Sequence, residues 1–214
     1  MNTDLDTLIM YLDTYTIQER GEMKWLFEKV QALQPSRILE IGRAQGGSAA
    51  LLAATGALVV SVDNEPQMPY AWTRDVYCNF VPNAQIVTID GDAHLLDTAN
   101  RVQQYAVYDV LFVDGGHHHD DASRDILMYM PMVKAGGLVF LHDIISPHSE
   151  EEWYPKWFWN RIRQVGVETA EFTDIQGADG GIGMFVVPDM YTQMSVFNAL
   201  VDLAIGTMDF SKQI

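Results

Sequence analysis

The sequence predicts an α/β fold, in which a mostly parallel β-sheet is covered by helices on both faces. Short apolar segments alternate with helical windows along residues 37–141, and this alternation is typical of strands joined by crossover helices. The apolar segments are nearly continuous, as expected for strands that are buried on both sides. With 214 residues, of which 48% are hydrophobic, the chain has the size and composition of one mid-sized domain.

Two amphipathic helices are predicted before the first strand. Apolar residues recur at helical spacing in two stretches, first at Leu5, Leu8, Ile9 and Leu12 and then at Met23, Leu26, Phe27 and Val30. Pro35 ends the second stretch, because the residue before a proline disfavours helical backbone. We therefore assign residues 1–34 to N-terminal helices.

The repeating part of the chain contains five predicted strands with four predicted helices between them. The strands are Arg37–Ile41, Leu58–Val62, Gln85–Ile89, Val110–Val113 and Gly137–Leu141. The helices are Gly47–Ala54, Pro69–Cys78, Ala93–Gln103 and Ala122–Val133. In sheets of this kind, ligands bind beyond the carboxyl ends of the strands, near the point where the strand order reverses.

The last part of the chain follows a different pattern. The predicted elements are a helix at Tyr154–Gln164, strands at Thr169–Phe172 and Ile182–Val187, a hairpin turn at Gln176–Gly181, and a final helix at residues 193–206. We expect residues 1–214 to form a single domain, with 37–187 as its core. The aromatic segment Trp153–Trp159 has two interpretations, either a helix that packs its rings into the core or a lid over the substrate.

The charge of the chain argues against polyanionic partners. There are 29 acidic and 13 basic residues, so the formal net charge is −16. Binding to nucleic acid or to an anionic membrane requires clustered Lys and Arg, and we expect neither partner. Cys78 is the single cysteine, so it cannot form an intramolecular disulfide. The N-terminus does not resemble a positively charged leader, and no apolar run is long enough to span a membrane. We expect a soluble, cytoplasmic protein, and whether it forms a homo-oligomer stays open.

A glycine-rich loop follows the first predicted strand and indicates a nucleotide-like cofactor. Glu40 precedes the loop, and Gly42 and Gly46 allow a sharp turn and close approach of a ligand. Ser48 could cap the next helix, or bond a carboxylate of the ligand together with it. Asp63 ends the second strand about 20 residues after Gly42, where a carboxylate can accept both hydroxyls of a ribose. Two kinds of cofactor are compatible with parts of this loop. A dinucleotide would require glycine where Ala44 stands, whereas acid-x-Gly-x-x-x-Gly resembles motif I of class I S-adenosylmethionine (SAM) methyltransferases.

Polar side chains also follow the fourth and fifth strands. Asp114 comes directly after the fourth strand, and His142 and Asp143 end the fifth. Neighbouring strand ends place these side chains at one crevice, where two carboxylates and one imidazole or water can hold a divalent cation.

Three runs together resemble a known group of enzymes. The runs are EIGxxxGGS at residues 40–48, DGxH at 114–117 and GGxxxxHD at 136–143. They resemble motifs of the metal-dependent O-methyltransferases, and most of all those of the Methyltransferase 24 group with the macrolide-sugar and rhamnosyl enzymes. The resemblance covers roughly residues 17–187. It implies a Rossmann-like three-layer fold with a seven-stranded sheet whose last strand is antiparallel. It also implies SAM as cofactor, a divalent cation, magnesium or manganese, and a small hydroxylated acceptor such as a sugar.

The resemblance also implies roles for individual residues. Asp92 and Ala93 would contact the adenine of SAM, Asp114 would lie beside the cofactor, and Asp114, His142 and Asp143 would hold the cation. The sugar enzymes have an acidic pair at the fifth strand, so His142 departs from their pattern and favours manganese, iron or zinc over magnesium. His117 occupies the position of the catalytic base, three residues after the metal-binding acid.

Two other functions are compatible with parts of the pattern. An NAD-dependent oxidoreductase would use a similar sheet, although the sequence has no evident catalytic Ser, Tyr and Lys set. A non-catalytic SAM-binding or scaffold protein would retain the fold without the chemistry, and the departure at His142 is the feature that favours it.

Overall fold

Seven strands of this chain form one sheet in a computed structural model that describes residues 4–64, 81–117, 120–148, 154–189 and 193–206. The strands are β1 (Arg37–Ile41), β2 (Leu58–Asp63), β3 (Gln85–Asp90), β4 (Tyr108–Val113), β5 (Val133–Ile145), β6 (Thr169–Phe172) and β7 (Gly180–Val186). All seven predicted strands are confirmed. The largest difference is at β5, which extends beyond the predicted segment at both ends.

The strand order is β3-β2-β1-β4-β5-β7-β6, and it confirms the predicted fold class. Strands β1 to β5 pair in parallel, which requires a crossover connection between them. The antiparallel strand is β7, which inserts between β5 and β6 and runs against both of them. The hairpin predicted at the end of the chain therefore closes one edge of the sheet.

Helices cover both faces of the sheet. They are α1 (Leu5–Leu12), α2 (Arg20–Leu33), α3 (Gly47–Ala53), α4 (Leu96–Gln103), α5 (Asp121–Tyr129), α6 (Tyr154–Ile162) and α7 (Met194–Gly206). Among these helices of the described ranges, none combines the length and the apolar character needed to cross a membrane. The predicted helix Pro69–Cys78 lies outside the described residues.

Two predicted helices differ most from the observed ones, for local reasons. The helix predicted from Ala93 begins only at Leu96, because a turn precedes it in which Leu95 N–H donates to Asp92 C=O at 3.1 Å. The helix predicted to end at Val133 stops at Tyr129 and is followed by a 3-10 turn containing Pro131. Proline lacks the N–H that a continuing helix requires, so the chain turns there and enters β5.

The core lies on both faces of the sheet and follows the two-residue period of the strands. Leu39 and Ile41 of β1 belong to one buried cluster, with Val60 and Val62 of β2. The alternate residue, Ile38, belongs to a second cluster on the opposite face, which α1, α2 and α3 cover. Successive side chains of a strand point to opposite faces, so the continuous apolar runs are explained by two cores.

The aromatic helix α6 packs into the core and does not form a lid. Phe158 and Trp159 are almost completely buried. The Trp159 ring lies directly against Gly183 of β7, where a Cβ would come within 2.5 Å of it. Its indole N–H donates to the Glu171 carboxylate of β6 at 2.9 Å. Glycine at 183 therefore makes room for the ring, and the core interpretation is the one that applies to these two residues.

The strand order reverses between β1 and β4, and this junction positions the site. Gly42 N–H donates to Val62 C=O at 2.9 Å, and Asp114 N–H donates to Ile41 C=O at 2.8 Å. Gly42 has a φ of 92°, and a Cβ there would lie 1.9 Å from the Asp114 carbonyl oxygen. Glycine is thus required where the loops after β1 and β4 leave the sheet side by side, at the base of the crevice.

Candidate active site

A cavity of about 860 Å³ opens at the carboxyl ends of β1 to β5, where the sequence predicts the ligand site. Its volume is sufficient for a cofactor and a small second ligand. Nine predicted site residues line it. They are Gly42, Ser48, Asp63, Asp92, Ala93, Asp114, His117, His142 and Asp143.

The loop after β1 holds the Asp63 carboxylate in place. Arg43 N–H and Ala44 N–H donate to the same oxygen, Asp63 Oδ2, at 2.9 and 2.7 Å. Gly46, with a φ of 86°, then begins α3. The Asp63 carboxylate therefore joins the end of β2 to the loop after β1. It lines the cavity, in the place predicted for a ribose contact.

Glu40 lies beneath this loop, and the prediction that it contacts the cofactor is corrected. Its side chain is fully buried and does not line the cavity. Ser48 Oγ donates to Glu40 Oε1 at 2.6 Å, and Ser61 donates to the other oxygen. Burial raises the pKa of Glu40 to about 7. The role of Glu40 in this arrangement is to connect β1, β2 and α3 below the glycine-rich loop.

Arg43 is a site residue that the sequence analysis missed. The residue is 4% exposed, and its guanidinium donates to Asp90 Oδ1 at 2.6 Å and to Ser61 C=O at 3.1 Å. These contacts join the loop after β1 to the ends of β2 and β3. A basic residue inside a glycine-rich loop of an acidic chain is the signal that would have identified it.

His94 lies in the loop after β3 and belongs to the wall of the cavity. Its side chain is 22% exposed and lines the cavity, with Nε2 3.2 Å from Asp125 Oδ1 of α5. The contact with Asp125 raises the pKa of His94. The same loop is tied to α5 a second time, because Tyr129 O–H donates to Ala93 C=O at 2.5 Å. Asp92 accepts from His94 N–H at 2.8 Å, which closes the turn.

An acid and histidine cluster occupies the ends of β4 and β5. His117 Nε2 lies 2.8 Å from Asp143 Oδ2. His142 Nδ1 lies 3.0 Å from Asp114 Oδ1 and 3.2 Å from Asp143 Oδ2. The other nitrogen of His142 faces Glu22 of α2, with Nε2 3.1 Å from Glu22 Oε1. The sequence predicted four of these five residues and missed Glu22.

The carboxylates around His142 favour the charged form of its ring. Burial alone would lower its pKa, but the carboxylates of Asp114, Asp143 and Glu22 raise it well above the ordinary value of histidine. For Asp143, hydrogen bonds from the two histidines outweigh burial and lower its pKa. Burial raises the pKa of Asp114, although the neighbouring histidines act in the opposite direction.

The donors that converge on one point differ from the predicted set. Asp114, His117 and Asp143 each offer a ligand atom, and these atoms lie within 4.8 Å of one another. His142 is not part of this set, although its Nδ1 also faces Asp114 and Asp143. Its predicted role as a ligand stays a prediction. Two carboxylates and one imidazole are a donor set that fits a divalent cation held by Asp114 and Asp143.

The first turn of α2 also contributes to the wall of the cavity, and the sequence analysis missed it. Glu19 accepts backbone N–H groups of Gln176 and Gly177 at 2.6–2.9 Å, and Glu22 accepts that of Gly181 at 2.6 Å. The two acids also form a capping box at the start of α2. The spacing Glu-x-x-Glu before an apolar run is the local signal for the cap, but nothing local indicates the contact with the turn before β7.

Comparisons with known proteins find a similar domain and similar folds. Residues 39–144 match a family model described as a methyltransferase domain. The O-methyltransferase from Bacillus cereus in complex with SAH is 18% identical, with 87% of this chain and 93% of that chain covered and a TM-score of 0.65. Cofactor-bound Rv0187 from MTB is 18% identical, with coverages of 88% and 93% and a TM-score of 0.67.

A third structure, O-methyltransferase TomG from Streptomyces achromogenes in complex with SAM, is involved in tomaymycin synthesis. It is 16% identical, with coverages of 87% and 91% and a TM-score of 0.65. At these identities the likeness establishes the fold.

Proposed function

Since the chain carries a class I, SAM-dependent methyltransferase domain, we propose that it methylates a hydroxyl group of a small molecule with the help of a divalent cation. The observation that carries the proposal is the convergence of Asp114, His117 and Asp143 beside the glycine-rich loop, in one cavity. The solved structures of similar fold are O-methyltransferases in two of the three cases described, and this supports oxygen as the acceptor atom.

The cofactor side of the proposal uses the loops after β1, β2 and β3. We assign the ribose hydroxyls of SAM to Asp63, which two backbone N–H groups hold at the cavity. Asp92 and Ala93 line the same cavity one strand further along and would contact the adenine. Gly42, Gly46 and Ser48 supply the turn and the start of α3, against which the amino acid part of SAM would lie.

The acceptor side uses the cluster at the ends of β4 and β5. Asp114 and Asp143 would hold the cation, for which magnesium or manganese is our assignment. The cation, when bound, lowers the pKa of an acceptor hydroxyl. The protein aligns that oxygen with the methyl group of SAM, and alignment of this kind supplies much of the rate enhancement in a displacement of this type.

His117 is our candidate for the general base. Its ring is 37% exposed at the cavity and is oriented by Asp143, at 2.8 Å from Nε2. The hydrogen bond with Asp143 raises the pKa of His117, so the neutral ring that accepts a proton forms at higher pH than for free histidine. The carboxylate would also stabilise the imidazolium formed when His117 takes the proton of the acceptor hydroxyl.

Transfer of a labelled methyl group from SAM to a panel of hydroxylated small molecules tests the activity. Asp63→Ala should weaken SAM binding by about 1.5–3 kcal/mol, the range for a hydrogen bond to a charged group, as measured by calorimetry. NAD binding in place of SAM would instead identify an oxidoreductase. SAM binding without transfer to any acceptor would favour the scaffold alternative.

The metal assignment is tested by chelation and by direct binding. Asp114→Asn should abolish cation-stimulated transfer but retain SAM binding, and manganese titrated into the apo protein should bind more weakly to this variant. Full activity after exhaustive treatment with EDTA would contradict the assignment. Asp202→Asn, an exposed change on α7, is the matched control.

The two possible roles of His117 are separated by the same titration. If His117 is the base, His117→Ala should lower kcat by roughly 10²–10⁴ and leave manganese binding intact. If the variant also loses manganese binding, His117 is a ligand of the cation and the base assignment is wrong.

A further inference from the structure

A buried arginine lies between the loop after β1 and the ends of β2 and β3. Arg43 lines the cavity, yet its side chain is almost completely buried. A buried guanidinium is unfavourable unless its N–H groups are bonded, and removal of its partner leaves an unpaired charge inside the protein. The partners of Arg43 therefore indicate why the chain places an arginine at this position.

Arg43 binds two carboxylates at once, one with its backbone and one with its side chain. Its backbone N–H donates to Asp63 Oδ2 at 2.9 Å, and its Nη2 donates to Asp90 Oδ1 at 2.6 Å. Asp63 and Asp90 lie opposite each other in the parallel pairing of β2 and β3. Because like charges at neighbouring positions repel, the guanidinium offsets the charge of Asp90 beside the carboxylate that we assign to the ribose.

The end of β3 is held from two directions. Arg101 of α4 donates from Nη1 to Asp90 C=O at 2.9 Å, whereas Arg43 binds the Asp90 carboxylate. Gly91 N–H in turn donates to Asp63 C=O at 2.9 Å. The loop after β3, to which we assign the adenine, is thus fixed relative to β2, and Arg43 connects it with the glycine-rich loop.

The geometry of the guanidinium matters more here than the strength of the ion pair. The side chain of Asp90 is 61% exposed, so solvent screens its charge and the pair contributes little to stability by attraction alone. A second nitrogen of Arg43 donates to Ser61 C=O at 3.1 Å. Two acceptors in different directions suit the planar fork of arginine, and the single ammonium of lysine does not reproduce it.

We propose that Arg43 is a positioning residue for the nucleoside half of the cofactor, which is its ribose and adenine. By binding Asp63 with its backbone and Asp90 with its side chain, it sets the separation between the ribose contact and the adenine loop before the ligand arrives. Such preorganisation raises affinity, because the ligand does not have to order the loops as it binds. The inference rests on the proposed function, from which it takes the ribose and adenine assignments.

Calorimetry with two ligands tests the proposal. SAH contains the nucleoside and the amino acid part, whereas 5′-methylthioadenosine has the same nucleoside without the amino acid part. Arg43→Met should lower the affinity for both ligands by the same factor, on the order of tenfold. Arg43→Lys should recover part of the loss, because an ammonium still reaches one acceptor. Arg163→Met removes an ion pair with Glu171 outside the cavity lining and is the control that should bind both ligands like wild type.

A double-mutant cycle tests whether Arg43 acts through Asp90. Asp90→Ala should weaken the binding of SAH by about the same factor as Arg43→Met. The double variant should lose no more than either single variant, because all three lack the same contact. Losses that add in the double variant would overturn the proposal.

The outcomes separate this inference from the proposed function. If Arg43→Met binds SAH more weakly but 5′-methylthioadenosine as tightly as wild type, the guanidinium serves the amino acid part of the cofactor and the inference is overturned. Unchanged affinity for both ligands together with a lower melting temperature would assign Arg43 to stability alone, which also overturns it. Both results leave the methyltransferase assignment intact. Failure of wild type to bind SAH would contradict the cofactor assignment and this inference together.

A second measurement does not depend on the folding of a variant. A crystal structure of wild type with SAH should retain the hydrogen bonds from Arg43 to Asp90 and to Ser61 C=O, with the ribose at Asp63 and the adenine against the loop after β3. A guanidinium that leaves Asp90 and binds the ligand directly would overturn the proposal.

Discussion

Glu40 illustrates how burial changes the role of a single residue. The sequence places a carboxyl group just before a glycine-rich loop, where a cofactor contact is a natural interpretation. In the structure this group is fully buried, and its hydrogen bonds come from Ser48 and Ser61. Burial disfavours the charged form of this carboxyl group more strongly than the two serines and the nearby Arg43 favour it, which is why its pKa is raised to about 7.

Glu40→Gln should therefore change the pH dependence of stability. In wild type the folded state holds a proton that the unfolded chain releases near pH 4.5, so the free energy of unfolding falls as pH rises from about 4.5 to about 7 and stays lower above that. The loss amounts to about 3 kcal/mol, since one pKa unit corresponds to about 1.4 kcal/mol. The glutamine variant lacks this titration, so its stability relative to wild type should increase between pH 5 and 8.

Urea denaturation at several pH values measures this effect. Glu28→Gln, an exposed change on α2, is the matched control and should leave the pH profile as it is. A stability difference between Glu40→Gln and wild type that does not vary with pH would contradict the assignment of a raised pKa.

At the scale of elements, the amino ends of three strands are joined by one residue. Asp109 near the start of β4 accepts the backbone N–H groups of Ser36 at 2.6 Å and Arg37 at 2.9 Å, at the beginning of β1. Its other oxygen lies 2.5 Å from Lys134 Nζ at the beginning of β5. The central strand β4 is thereby tied to both of its neighbours at the edge of the sheet opposite the cavity.

Asp109→Ala should destabilise the fold without affecting the site. Although burial alone would raise the pKa of Asp109, the Lys134 ammonium and the two N–H groups lower it below its ordinary value. A lowered pKa means that the stabilisation is present at neutral pH and is lost as pH falls from about 4 through the lower folded value. We expect a loss of about 1–3 kcal/mol at pH 7 that diminishes in acid.

Chemical denaturation of Asp109→Ala and wild type at pH 7 and at pH 3 measures the difference. Asp202→Ala, an exposed change on α7, serves as the control. Equal stability of the Asp109 variant and wild type at pH 7 would show that the contacts of this carboxylate contribute nothing.

At the scale of the whole molecule, the cavity joins parts of the chain that are far apart in sequence. Residues before α2 and the loops after β1 to β5 all line it, together with the turn before β7. A ligand that binds in such a cavity stabilises the folded state as a whole, because the unfolded chain cannot bind it.

SAH should therefore raise the melting temperature of the chain. At a concentration of 100 times Kd the stabilisation is about 2.7 kcal/mol, which corresponds to an increase of about 5–10 °C for a domain of this size. Differential scanning fluorimetry measures the shift, and Asp63→Ala should need a higher SAH concentration to reach it. A melting temperature that does not respond to SAH at any concentration would contradict the cofactor assignment.

Much of the fold and part of the site could be predicted from the sequence. Apolar runs and helical periodicity are local properties, and they located every strand, since a strand in a parallel sheet must bury both faces. The loop at Gly42 and the strand-end residues Asp63, Asp114 and Asp143 are also local, because the residue after a strand necessarily lies at the edge of the sheet. These features by themselves determined the fold class and the location of the crevice.

The tertiary structure decided which side chains meet. His142 pairs with Glu22 although 120 residues separate them, and Gln18 donates to Asp114 across 96 residues. Periodicity carries no information on contacts at such distances, because they depend on how α2 crosses the end of the sheet. Burial is likewise a property of the packed molecule, and it raises the pKa of Glu40, while the carboxylates that are packed around His142 raise the pKa of its ring. The sequence therefore determined where the site lies, while packing determined the partners and the charge of its residues.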